Sequence, residues 1–191
     1  MEFSMQKLKE AIIVILKIMG NKASKVKLVK TLFYCDFKSY KERHIPITGD
    51  RYVHYKYGPV PSHFESALRQ MQREGSLAVI PAAHTEKWEF DVLRESDRSV
   101  FDDFEIKILE ETSKKFANMG AKELSEWSHL FEGWKITRDG EYINYEFIDI
   151  QDFDDEENPP QFEPIDDLEK ELFDSPEFNE IIRLATEYSS R

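Results

Sequence analysis

Cysteine is almost missing from this chain: Cys35 is the only one in 191 residues. An intrachain disulfide is therefore excluded, and a reducing, cytoplasmic setting is expected. Glycine is scarce too, with seven residues, and none sits in a phosphate-binding Gly-rich loop. Long apolar runs are lacking. The best, AIIVILKIM at 11–19, is broken by Lys17 and is far short of the roughly 20 residues that span a bilayer. No small-residue cleavage site follows it, so neither a secretory leader nor a membrane partner is expected. Metal signatures are missing as well. There is no paired-cysteine motif and no His-Glu-x-x-His, and the histidines at 44, 54, 63, 84 and 129 fall in separate predicted elements. Asp50, His54 and His63 lie on either side of a Gly-Pro junction, without the ligand spacing that Zn²⁺ requires. No metal or other cofactor is expected. Nothing lowers the Cys35 thiol pKa or pairs it with a base, and Cys35 reads as a small buried hydrophobe. No catalytic residue is expected, and a hydrolase of unknown substrate ranks last among the functional readings.

What is present suffices for a core. Apolar residues make up 40% and aromatics 13%, ample for one domain of ordinary size with an appendage. Charge is distributed unevenly. Residues 149–191 hold 15 acidic and 3 basic side chains, which is the whole of the net −12, while residues 7–73 hold 14 basic and 5 acidic. A basic amino half with an acidic carboxyl end predicts either a contact within the chain or two faces for two partners.

Apolar periodicity predicts a helix over 5–19, stopped by Gly20-Asn21, and a second one capped by Ser24 and ending before Pro46. The second helix carries Leu28, Val29, Leu32, Phe33 and Phe37 inward, with lysines 25, 27, 30, 38 and 41 mostly elsewhere on its surface. In RYVHYKYGPVPSHFE (51–65), Arg51 to Tyr57 read as a strand with Val53, Tyr55 and Tyr57 on one face. Gly58 breaks it, and Pro59 and Pro61 set the entry angle of a helix that runs to about Glu74. Ser62 and Glu65 have the spacing of a capping box at its start. A hairpin is predicted from Leu77–Ile80 and Trp88–Leu93. Helices follow over 102–118 and 121–131, the latter with Leu124, Trp127, Leu130 and Phe131 toward the core. Glu141–Ile150 reads as a strand or an extended arm. Ser175-Pro176-Glu177 opens a last helix with Phe178, Ile181, Ile182, Ala185 and Tyr188 on one stripe. The fold class expected is α+β, mainly α, with winged-helix-like parts and an acidic helical carboxyl extension. The boundary is placed between residues 1–148 and 149–191.

The winged-helix parts make a DNA-binding regulator one alternative. Its recognition helix would offer His63, Arg69, Gln70 and Arg73, with the arginines on phosphates and Gln70 on base edges. A sequence pI near 4.9 argues against it.

Four blocks, KLVKTLFYCDF (27–37), PITGDRYVHYKYGPVPS (46–62), LSEWSHLFEGWKIT (124–137) and YINYE (142–146), resemble in order and spacing the Panacea, or SocA-like, antitoxin domain. The likeness covers roughly residues 5–148. It implies a mainly helical, cytoplasmic bacterial or prophage protein that neutralises a toxin encoded beside it by direct protein–protein binding. In one branch of the family the antitoxin delivers the toxin to a protease. The matching positions are Lys30, Tyr34, Asp36, Gly49, Tyr57, Gly58, Pro59, Val60 and Pro61, then Leu124, Ser125, His129 and Trp134. The resemblance supplies no catalytic residue. Tyr57, Gly58, Pro59, Pro61 and His129 are the candidate partner-binding residues within the domain, and His129 is expected to hydrogen-bond the proline junction. Phe173, Phe178, Ile181, Ile182 and Tyr188 are candidate anchors in the acidic extension. They would dock on the toxin or on the basic amino half.

Overall fold

A computed structural model describes residues 2–20, 23–81 and 88–150. The predicted extension, including Phe173, Phe178, Ile181, Ile182 and Tyr188, lies outside the described residues. The class is mainly α with small β elements: helices α1 (Met5–Met19), α2 (Lys25–Arg43), α3 (Phe64–Arg73), α4 (Asp103–Ala117), α5 (Ala121–Leu130) and α6 (Glu132–Ile136) accompany two small sheets. One sheet has the order β2 (Val60–Pro61), β1 (Tyr52–Val53), β5 (Tyr142–Ile143), all antiparallel. The other is the hairpin of β3 (Leu77–Pro81) and β4 (Trp88–Val92).

The helix ends follow local chemistry. Ser4 Oγ accepts from Lys7 N at 3.2 Å and Ser24 Oγ from Lys27 N at 3.3 Å, each satisfying an amide that the first turn leaves unpaired. Gly20 and the left-handed His44 close α1 and α2. Asp102 and Glu105 form a reciprocal capping box on α4, and Lys7 binds the same Glu105 at 2.6 Å.

Helix α2 runs through the centre, flanked by α1, α4 and α5. Its aromatics meet one ring of the small sheet and two beyond it: Phe33, Phe37, Tyr52 of β1, Phe131 between α5 and α6, and Tyr145 after β5 pack with ring centroids 4.5–6.1 Å apart. Burying each such ring is worth about 2–3 kcal/mol.

Being central has a consequence that the periodicity does not show. Lys25, Lys27 and Lys30 are buried rather than solvated. Lys25 pairs with Glu65, Lys27 Nζ donates to the Ala117 carbonyl at 3.0 Å, and Lys30 Nζ donates to the Pro59 carbonyl at 3.1 Å. Their aliphatic stems pack while the amines reach acceptors on neighbouring elements. Other basic side chains of the amino half pair with carboxylates: Lys9 with Glu74 at 2.7 Å, Lys17 with Glu95, and Arg43 with Asp102 at 2.9 Å.

Three local expectations are corrected. The strand expected over 51–57 holds only Tyr52 and Val53, because His54 gives its amide to the Glu141 carbonyl and accepts from Gly140 N. A turn closed by Gly58 N donating to Tyr55 O then leaves Tyr55 exposed and Tyr57 buried. The Ser62–Glu65 box does not form. Ser62 Oγ donates to Asp50 at 2.7 Å, Glu65 turns to Lys25, and His63 is the cap residue of α3. Leu130 is exposed rather than inward, because α5 ends there and the chain turns into α6.

Candidate functional site

The Gly-Pro junction is the bend of a small hairpin. β1 and β2 pair Tyr52 with Pro61 and Val53 with Val60, so residues 54–59 form its loop. Pro61 is tolerated because β2 lies at the sheet edge. Gly58 has φ +96°, and a Cβ there would overlap Ser128 Oγ and come within 2.6 Å of Lys30 Nζ. The loop therefore lies flush against α2 and α5.

Its carbonyls are held one by one from the other motif blocks. Trp134 Nε1 donates to Tyr55 O at 3.0 Å, Ser125 Oγ to Tyr57 O at 2.8 Å, and Lys30 Nζ to Pro59 O at 3.1 Å. Ser128 Oγ turns to Ser125 O at 2.6 Å. Lys30, Ser125 and Trp134, far apart in sequence, thus act together as a clamp on the loop. Burial pushes the Lys30 ammonium well below its ordinary pKa.

His129 lies beside this clamp. Its ring stacks on Trp134 with centroids 4.0 Å apart, and His54 stacks on the same indole at 4.5 Å. His54 Nδ1 contacts Thr137 Oγ1 at 3.0 Å. His129 also hydrogen-bonds the Tyr57 backbone, while its Nε2 meets no hydrogen-bond partner among the described residues. Burial, with Lys30 and His54 beside it, lowers its pKa to about 4 against the pull of Tyr57. In an unfolded chain the ring titrates near 6.5, so between those values the unfolded state holds more protons. The stability that depends on neutral His129 is full above pH ~6.5 and is lost as pH falls toward ~4, by about 1–2 kcal/mol for a half-buried ring. A His129→Gln variant is expected to flatten that part of a urea-denaturation stability curve against pH; an unchanged slope would contradict this placement.

Next to these rings in sequence stand exposed apolar side chains: Tyr55 (46% exposed) follows His54, Leu130 (40%) follows His129 and Ile136 (53%) lies two residues past Trp134; Tyr142 (51%) is the cross-strand partner of Val53 on β5. The Arg51 guanidinium covers the Tyr142 ring at 4.2 Å. Sequence reasoning missed Tyr55, Leu130, Ile136 and Tyr142 as surface residues. The only available signal was that they neighbour His54, His129, Trp134 and the YINYE block.

The other candidate residues do not gather here. Asp50 accepts from His63 N at 3.0 Å and contacts His63 Nδ1 at 2.7 Å, while His63 stacks on Phe3 at 4.1 Å. His54 is turned away toward Trp134, so the three-residue metal set does not converge. Among the described residues no group of three His, Cys, Asp or Glu side chains is placed to hold a metal ion. On α3, Arg69 and Gln70 are half-buried and only Arg73 is exposed. Among the described residues no helix is long and apolar enough to cross a membrane.

The family comparison matches the description "Antitoxin SocA-like, Panacea domain" over residues 28–135, which contains the whole clamp and both stacked histidines. Comparison with curated proteins gives no match, and comparison with solved structures gives none. The match spans more than half of the chain, from within α2 to α6: the chain belongs to the SocA-like antitoxin family and carries its Panacea domain.

Proposed function

We propose that this chain neutralises a cognate toxin by direct binding, through the aromatic face around the His54–Trp134–His129 stack. Residues 1–148 form the antitoxin domain and 149–191 an acidic extension, in a cytoplasmic bacterial protein that works by contact and not by catalysis. The supporting observation is the clamp. Three buried or half-buried donors, Lys30, Ser125 and Trp134, hold a loop whose own Tyr55 remains exposed, as do Leu130, Ile136 and Tyr142 outside it. A rigid surface loses little conformational entropy on binding, and exposed aromatics are the usual anchors of a protein interface.

The experiment is co-expression of the chain with the product of the adjacent reading frame in cells whose growth that product arrests. Tyr55→Ala and Tyr142→Ala are each expected to weaken toxin binding by about 30-fold or more, the scale of an aromatic hot spot. Folding stability should change by less than about 1 kcal/mol, since both rings are half-exposed. Protection from arrest that survives both substitutions together would reject this face. Delivery of the toxin to a protease is a finer form of the reading. It predicts a shorter toxin half-life in cells holding the chain than in cells without it.

A further inference from the structure

We propose that the outer edge of β4 docks an extended segment of a partner protein that carries lysine or arginine at every second position. This edge belongs to the hairpin of β3 and β4, the other of the two sheets, and is independent of the toxin contact proposed above.

The register identifies the edge. β3 and β4 pair Leu77 with Val92, Ala78 with Asp91, Val79 with Phe90 and Ile80 with Glu89, with no residue bulged out. One step further along the same ladder, Leu93 N donates to Ser76 O at 3.1 Å. In an antiparallel ladder, pairs that exchange hydrogen bonds alternate with pairs that do not. Ser76–Leu93, Ala78–Asp91 and Ile80–Glu89 are therefore the bonded pairs, and Phe90 and Val92 turn their amides and carbonyls to the far side of β4. Among the described residues these groups meet no backbone partner. Proline guards one position of the β3 edge, since Pro81, opposite Trp88, has no amide to offer. β4 holds neither proline nor bulge, and such an edge is a template for a further strand.

The side chains select the strand that fits. Leu77 and Val79 are buried and Phe90 and Val92 half-buried, so this face of the hairpin packs inward. Glu89 and Asp91 are exposed on the opposite face, where Ile80, the cross-strand partner of Glu89, is exposed as well. The two carboxylates stand two residues apart, roughly 7 Å along the strand. Alternate positions of a strand laid against β4 have the same spacing. Opposite charges facing each other across a ladder stabilise it, and like charges oppose it. A second copy of this chain, added antiparallel with Phe90 opposite Phe90, would set Glu89 against Asp91 twice. The charge that favours a basic strand thus disfavours self-pairing.

Hydrogen exchange read by NMR on the full-length chain tests this, with a capped eight-residue peptide of alternating lysine and valine as the probe. The Phe90 and Val92 amides are expected to exchange at least about tenfold more slowly with the peptide bound. The Asp91 amide, already paired with β3, should change little. The same peptide with all its amides N-methylated keeps its charge but has no N–H to donate, and should give no protection. This separates strand pairing from general attraction of lysine to a chain of net charge −12. Glu89→Lys, Asp91→Lys alters two exposed positions, so the fold is not at stake. It should abolish protection by the lysine–valine peptide and confer it on a glutamate–valine one. No slowing at about 1 mM lysine–valine peptide, the weak end of useful affinity, overturns the proposal. Equal protection by the N-methylated peptide does so too, as does protection that survives the charge reversal. Protection already present without peptide also overturns it. That result assigns the edge to a second copy if it grows with protein concentration, and to the chain itself if it does not.

Discussion

Asp36→Ala is expected to lower the stability of the folded chain by about 3–5 kcal/mol, because three buried donors would lose their acceptor at once. Asp36 is fully buried in α2 and accepts from Thr48 N at 2.7 Å, from Thr48 Oγ1, and from Tyr52 OH at 2.9 Å. Tyr145 OH lies 3.4 Å from the same carboxylate and donates to the Asp50 carbonyl at 2.5 Å. Alanine would leave these groups dry and unpaired, and would loosen the 48–50 turn that places Asp50 under α3. Urea denaturation followed by circular dichroism measures the loss; a change below about 1 kcal/mol would show that water reaches the site and replaces the carboxylate. Asp36→Asn separates charge from shape. Burial, with the charge of Asp50 nearby, outweighs the Thr48 and Tyr52 hydrogen bonds and raises the Asp36 pKa to about 6. In the unfolded chain it titrates near 4, so between those values the folded state holds more protons, and stability falls as pH rises through that window. The asparagine variant should lose this slope. His129 acts with the opposite sign over much of the same range, so the two single variants bend the wild-type curve in opposite directions.

Gly58→Ala is expected to cost about 2–5 kcal/mol. A non-glycine residue at φ +96° carries backbone strain of roughly 1–2 kcal/mol. The added methyl must also displace Ser128 or Lys30 from a packed site, typically a further 1–3 kcal/mol. Gly140→Ala provides the comparison: Gly140 has φ +80° and open space where its Cβ would stand, so strain alone applies. Thermal melts should place Gly58→Ala lower than Gly140→Ala by several degrees, at about 2–4 °C per kcal/mol for a chain of this size. Equal losses at the two positions would mean that the loop is not clamped against α5.

Much of the fold was legible because its elements carry their own signals. Gly20 ends α1 and Ser24 opens α2 by local hydrogen bonding, the stripe of α4 is periodic, and β3 and β4 are two short apolar runs on either side of polar residues. The misreadings share a different cause. Ser62 and Glu65 have capping-box spacing, yet Asp50 and Lys25 bind them more strongly, since charged partners from other elements outcompete a local neutral bond. Lys30 looked like surface because a helical wheel cannot show that α2 is enclosed on several sides. Tyr55 fitted a strand until the bonds from His54 to residues 140 and 141 ended it.

The candidate site divides along the same line. Family membership, the glycine at the bend and the inward aromatics are written in the order of residues, because turn geometry and apolar spacing depend on near neighbours. The clamp on carbonyls 55, 57 and 59, the histidine–tryptophan stack and the exposed rings around it exist only once α2, α5 and α6 meet the hairpin. The clamp's partners lie 29 to 79 positions apart, and only the packing of the helices brings them within hydrogen-bonding distance.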